Sequence, residues 1–430
     1  MKTAAQFLVL VLAGSGLFLF FNAKNYFKLS QLAQLENPLA EEPKPAEKEP
    51  DPNADLPPQK PLENRPELIK AVYLTGWSAG YEPRLAYIID LAKKTEINAV
   101  VIDIKDYSGE LSYRTELEDA EKYGKGRDLK ILKPNALIKR LHDAGIYAIA
   151  RQTVFQDPTL AVARKDLALT SFLTKKQWKD DKKVMWVDPA GKEVWDYNIE
   201  IAKDALARGF DEINFDYIRF PTDGNTDDIV FPFWNGTTLK RYIIRDFWKY
   251  LRKALPDAQI SADLFGLTTL NYGDVGIGQN MDDALNYFNA IAPMVYPSHY
   301  QAGFDGYQNP AKYPYEVVYR SMSEANERLK HYIAAAANST STEAYLVKNP
   351  KLRPWLQDFD LGVNYDATKV RAQISAVYTS AGLCEPDMAT STVAGENAKT
   401  CNPENNPGAG WMLWDPTNKY TKEALLTNNL

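Results

Sequence analysis

The feature that most restricts this chain is an alternation. From residue 69 onward, short apolar runs of strand length recur eight times, and stretches with the spacing of amphipathic helices lie between them. The runs are 71–77 (AVYLTGW), 98–106 (NAVVIDIKD), 147–155 (YAIARQTVF), 212–220 (EINFDYIRF), 259–266 (QISADLFG), 290–297 (AIAPMVYP), 353–359 (RPWLQDF) and 410–416 (GWMLWDP). The helical stretches include RLAYIIDLAKK, NALIKRLHDAG, EVWDYNIEIAKDALARG, LKRYIIRDFWKYLRKAL and DATKVRAQISAVYTSAG. Gly145, Gly209 and Gly382 each follow a last helical residue, where a left-handed stop precedes the next strand. Such alternation implies a parallel sheet, and eight units match an α/β fold, a (β/α)8 TIM barrel with enlarged loops. The rival, an open doubly wound sheet, usually carries a phosphate-binding glycine loop after its first strand. The run 75-TGWSAGYEP-83 has no GxGxxG.

The front of the chain obeys different physics. Residues 3–23 carry no charge and lie between Lys2 on one side and Lys24 and Lys28 on the other. That length spans a hydrocarbon core, or nearly so. The triplet 21-FNA-23 puts Phe where signal cleavage prefers a small residue, so residues 1–28 read as an uncleaved transmembrane anchor before a cleaved signal peptide. Either way the barrel is expected to be extracytoplasmic: tethered to the cell membrane, or secreted if the segment is cleaved. Residues 29–66 read as a disordered Pro/Glu-rich linker, since nine prolines and eight acidic residues crowd 36–66. The folded domain is expected at 67–430, with packed structure from about Ile69.

Composition removes several function classes. A net charge of −6 with no basic stripe argues against a nucleic-acid partner. Three histidines, His142, His299 and His331, are too few for a multi-histidine metal centre, and no zinc-ligand spacing occurs. No metal and no redox cofactor is expected. Cys384 and Cys401 read either as a disulfide pinning a loop of an exported domain or as two unpaired thiols. The 25 tyrosines and nine tryptophans suit stacking on sugars, and they suit cores equally well.

The chemistry is carried by acids inside apolar strands, above all in 211-DEINFDYIRFPTDG-224. An unpaired buried carboxylate costs several kcal/mol, so Asp216 needs a reason. Period-two alternation supplies one. Ile213, Phe215 and Tyr217 share the face toward the helices, and Asn214 with Asp216 points into the barrel. The same reading turns Ser261 and Asp263 inward on the fifth strand, and Asp103 and Lys105 inward on the second. Function in such a barrel sits at the strands' C-terminal ends. Three aspartates there can cleave a glycosidic bond, one protonating the leaving oxygen while another attacks the sugar carbon or activates water. Asp216 is the candidate nucleophile or base and Asp263 the candidate acid, with Asp103 second for that role. The bland alternative is an ion cluster in which Lys105, Arg151 or Arg219 merely pairs with these acids.

Other strand ends offer Trp77, Tyr296, His299, Gln357, Asp358 and Trp414, which with Lys105, Arg151, Asn214 and Arg219 form the candidate substrate-binding set. Loop 222–236 reads as a subsite wall or lid. Its Asp223, Asp227 and Asp228 lack the spacing of an EF-hand calcium loop.

The motifs 186-WVDPAGKEVWDYN-198, 209-GFDEINFDYIRFPTDG-224, 75-TGWSAG-80, 103-DIKDYSGE-110, 261-SADLFG-266, 292-APMVYPSHY-300, 353-RPWLQDF-359 and 410-GWMLWDP-416 occur in order across residues 70–420. In these the chain resembles a bacterial family of uncharacterised glycoside hydrolases with a TIM-barrel domain, distantly similar to α-amylase-type barrels. The resemblance implies a barrel acting on a polysaccharide or oligosaccharide, and a nucleophilic role for Asp216. The chain departs from the amylase pattern at strand five, which ends in Asp263 where those enzymes present a glutamate. Nearby glutamates are Glu212, at the wrong end of its strand, and Glu110, on a loop that could reach the mouth. A catalytically silent carbohydrate-binding or cell-wall scaffold is the second reading, and a carboxylate-metal deacetylase or phosphodiesterase the third.

Overall fold

A computed structural model describes residues 54–340, 346–383 and 410–428. The expected anchor, the linker up to residue 53, and both cysteines lie outside the described residues. Among the described residues no helix is long and apolar enough to cross a membrane.

Eight parallel strands close into a barrel: β1 (Lys70–Leu74), β2 (Ala99–Lys105), β3 (Tyr147–Thr153), β4 (Glu212–Asp216), β5 (Ile260–Phe265), β6 (Ala290–Met294), β7 (Trp355–Gln357) and β8 (Trp411–Trp414). In register, Val72 of β1 lies between Val100 of β2 and Leu413 of β8. The ring closes where Trp355 of β7 meets Met294 of β6. Just before β7, Lys351–Leu352 already pairs with β6, and Arg353-Pro354 interrupts the ladder because proline has no N–H to give. Seven helices cross over between successive strands: α1 (Glu82–Lys94), α2 (Pro134–Asp143), α3 (Lys192–Arg208), α4 (Lys240–Ala254), α5 (Met281–Leu285), α6 (Pro314–Asn338) and α7 (Ala367–Ser380).

Strand alternation sorts the core into two layers. Val100, Ile102, Ile213, Phe215, Ala262 and Leu264 point outward into the helix layer. Ala71, Val101, Ile149, Ala292 and Met412 fill the barrel. The outer layer is heavily apolar: α4 alone buries Ile244, Phe247, Trp248 and Leu251, each burial stabilising by roughly 1.5–3 kcal/mol. Gly209 ends α3 at φ 107, and a Cβ there would meet Gln59 O at 2.5 Å.

That contact marks a correction. Packed structure begins at Asp55, and not near Ile69. The Asp55 carboxylate accepts the backbone N–H groups of Asn135 (2.9 Å) and Ala136 (3.1 Å), in the first turn of α2, where a negative charge suits the helix dipole. Gln59 N donates to Arg208 O (2.9 Å), Leu62 N donates to Asp211 (2.6 Å), and the Arg65 guanidinium lies over the Tyr147 ring. Residues 55–66 therefore form a strap that runs from the start of α2 down to the barrel floor. Their proline-rich composition reads as a solvated linker because the docking uses a few specific polar contacts and no apolar period.

The strands also stop earlier than their apolar runs do. After Leu74, Thr75 caps a short helix, Gly76–Gly80, by accepting the Ser78 N–H at 3.1 Å. Trp77 rides on that helix and is exposed, so it does not end a strand. After Asp216, Tyr217 takes φ 53 and turns the chain out of the sheet.

Candidate active site

Four inward side chains meet at the C-terminal mouth. Arg151 projects from β3 between Asp103 on β2, Asp216 at the end of β4 and Asp263 on β5. Its Nη1 donates to Asp103 Oδ1 at 2.5 Å, its Nη2 pairs with Asp216 Oδ2, and its Nε lies 3.6 Å from Asp263 Oδ2. Each acid has one further anchor or more. Tyr73, the inward residue of β1, donates its hydroxyl to Asp103 (2.5 Å), and Asp216 Oδ1 accepts the Tyr217 N–H (2.6 Å). Asp263 Oδ1 accepts from Asn214 Nδ2 (2.9 Å) and from the Trp355 indole (2.7 Å).

Three carboxylates therefore face one guanidinium. Full ionisation would leave excess negative charge in a nearly dry site. Burial, and next the charge of Asp216, push the Asp263 carboxyl up to about 8, so at neutral pH it carries the proton. With two N–H donors on Oδ1, the oxygen left to hold that proton is Oδ2. Burial also raises Asp103, against the opposing pull of Arg151. Of the three, Asp216 is the most open, at 6% exposure against 1–2%, and so the first that a ligand in the mouth reaches. A protonated acid beside a second, more open carboxylate is the pairing that paired-carboxylate hydrolysis requires.

An aromatic wall flanks the acids. Trp414 packs against Tyr73 (6.1 Å between centroids), Tyr296 (5.9 Å) and Phe359 (5.1 Å), and His299 continues the row beside Tyr296 (5.2 Å). Burial, then the nearby Asp263 and Asp216, hold the Tyr296 phenol far above its ordinary range, so it stays a neutral hydroxyl.

The chain matches, over residues 71–383, the family described as "Putative glycosyl hydrolase domain". The chain belongs to this family. No curated protein matches it. Among solved structures it is similar to the glycoside hydrolase domain of PgaB (BpsB) from Bordetella bronchiseptica, at 14% identity and TM-score 0.51. That likeness covers 84% of this chain and 99% of the other, and it establishes the shared fold. A hypothetical protein from Ruminiclostridium thermocellum ATCC 27405 is 40% identical, over 45% of this chain and 96% of its own (TM-score 0.41). An α-galactosidase from Thermus thermophilus is 14% identical, over 76% of this chain and 58% of its own (TM-score 0.44).

Within this member of the family, several residues expected at the mouth lie elsewhere. A register shift between Asp103 and Lys105 sends Lys105 outward. Its ammonium is wholly buried under α3, paired with Asp157 (2.7 Å) and donating to Asn198 and to Thr153 O. A bulge is invisible to period-two counting. Gln357 does end β7 at the mouth, but it is buried there, accepting the Ser298 N–H and donating to Phe359 O. Asp358 turns away to the segment after β8, where it accepts the N–H and hydroxyl of Thr421. Arg219 stays at the rim, its guanidinium among the rings of Phe265 (4.6 Å), Trp186 (5.1 Å) and Tyr217 (5.2 Å). Glu110 lies 3.9 Å from Lys130, in a groove with residues 123–127 and away from the aspartates.

The loop 222–236 is pinned to neighbouring segments at two points. Ile229–Val230 pairs with Thr170–Ser171, and Asp188 accepts the backbone N–H groups of Phe233 and Trp234. Tyr73 and Trp355 are the site residues that sequence reasoning passed over. The signal was present for Tyr73, which alternates with Ala71 on the inward face.

Proposed function

We propose that this barrel hydrolyses glycosidic bonds of a cell-surface or environmental polysaccharide. Asp216 is the carboxylate that attacks the anomeric carbon or activates water, and Asp263 is the acid that protonates the departing oxygen. Arg151 is the positioning residue that pairs with Asp216 and aims it, and the wall of Trp414, Tyr296 and Tyr73 supplies stacking faces for a sugar ring. The observation that carries this reading is the crowding of three buried carboxylates on one arginine at the mouth. A purely structural pair would match its charges.

The test is release of reducing ends by a 55–430 fragment from α- and β-linked glycans and isolated wall polymers, beside Asp216→Asn. The expected outcome is hydrolysis by the parent and loss of at least about a thousandfold in the variant. The direct pairing of Arg151 with both Asp103 and Asp216 favours a second reading, a silent carbohydrate-binding scaffold. No release on any substrate, with binding that survives Asp216→Asn, would establish the scaffold instead.

A further inference from the structure

The excursion between β3 and α3 carries 175-KKQWKDDKK-183, a lysine-rich run in a protein whose net charge is −6. It folds over a cavity of about 900 Å³ lined by Lys165, Lys175, Lys176, Lys179, Lys183 and Trp178. Among the described residues, none of these lysines has a carboxylate within 4 Å, and Lys175 rests over the Phe172 ring (4.1 Å). Surface lysines elsewhere do pair, as Lys94, Lys139, Lys203 and Lys330 show. Two of the three aspartates at the cavity are already engaged. Asp180 accepts from Val184 N, Gln156 and Trp186, and Asp228 accepts from Ser171 and Leu173 N. Those donors are neutral, so five lysines stand against three aspartates and the cavity face keeps a positive excess.

The cavity borders the mouth. Trp186, which donates to Asp180, lies under Arg219 at the rim. On the other side, Lys182 adds its charge to the shielding that holds His299 below its usual range.

We propose that this cavity is a distal subsite for the anionic groups of an acidic polysaccharide, so that the substrate of the mouth is a polymer bearing carboxylates. The inference rests on the glycan-hydrolysing reading, and its test uses binding alone. Full-length Asp216→Asn protein would be run by affinity electrophoresis through polygalacturonate and, separately, through neutral pullulan. Retardation by polygalacturonate only, weakening as salt screens the charges, is the expected result. Combined Lys175→Ser, Lys176→Ser, Lys179→Ser and Lys183→Ser should weaken it by about tenfold or more. These side chains are exposed, so thermal unfolding should barely move.

Equal retardation in both polymers, or a response flat in salt, overturns the proposal even if the lysine variant fails to fold. So does capture by phosphatidylglycerol vesicles in place of polymer, abolished by Phe172→Ser with Leu173→Ser, since those two side chains are exposed at the same tip. Hydrolysis of neutral glycans without acidic-polymer binding would remove this inference alone. Acidic-polymer binding by a parent protein that hydrolyses nothing would remove the enzymatic reading alone.

Discussion

The two ends of β4 carry the same kind of group with opposite consequences. Glu212 opens the strand at the barrel floor and Asp216 closes it at the mouth; both are buried and both touch an arginine. At the floor, Glu212 pairs with Arg353 through both carboxylate oxygens, accepts the Ser261 hydroxyl (2.6 Å), and has Arg65 of the strap at 3.8 Å. Burial works to raise its pKa, but Arg353 and its hydrogen bonds outweigh burial and hold the carboxyl below the ordinary range. At the mouth the ratio is reversed, three acids to one arginine, and Asp263 is driven up to about 8. Matched charges fasten a structure. Mismatched charges leave a proton free to move, which is why the proposed chemistry belongs to the mouth and not to the floor.

The largest effect should come from Arg151→Met. It strands Asp103 and Asp216 without their cation, which costs on the order of 3–5 kcal/mol at pH 7 and abolishes hydrolysis. Denaturant titrations at several pH values check this, because the deficit should shrink toward pH 4 as the stranded acids protonate. Glu212→Gln ranks next. It leaves Arg353 buried without a counter-charge, again costing roughly 3 kcal/mol, yet hydrolysis per folded molecule should keep its pH profile. A changed profile in Glu212→Gln would break the comparison.

Asp263→Asn tests the raised carboxyl directly. A folded-state pKa near 8 against an unfolded value near 3.9 means that wild-type stability falls as pH climbs through that window. The asparagine variant, neutral throughout, should match wild type near pH 4 and gain on it steadily up to about pH 8. In the wild type, kcat/KM should decline above about pH 8 as the acid loses its proton. A profile flat through pH 9 would remove Asp263 from the acid role.

The sequence made the barrel legible because strand period, helix period and glycine stops all agreed, and the glycines at 145, 209 and 382 do take positive φ. The inward aspartates were legible for the same reason, since alternation needs only a strand to act on. Lys105 was not, because a single register shift reverses the face of everything after it. Nor was Asp358, whose partner Thr421 comes from a distant segment that no local pattern names. The strap at 55–66 escaped because proline-rich composition looks the same solvated or docked. Local periodicity carries a residue to the correct face of the barrel, and what it touches there depends on the rest of the chain.

The smallest effects give the sharpest version of the comparison, because each end has a tyrosine beside its carboxylate. Tyr73 donates to Asp103 at 2.5 Å in the mouth, whereas Tyr147 stands 3.4 Å from Glu212 at the floor, with Asp211 O as its nearer acceptor. Tyr73→Phe should cost about 1.5–3 kcal/mol, the range for a hydrogen bond to a charged group, and Tyr147→Phe about 1 kcal/mol or less. The stability difference alone would say only that one bond is shorter. The pH profile says more: without the Tyr73 hydroxyl, Asp103 is buried with Arg151 as its remaining donor, so it takes up a proton more readily, Arg151 is left to Asp216, and the acidic limb of kcat/KM should move downward. Tyr147→Phe should leave that limb where it was. If both substitutions move it equally, protonation at the mouth is set by the barrel as a whole, and the division of β4 into a fastened end and a reactive end is wrong.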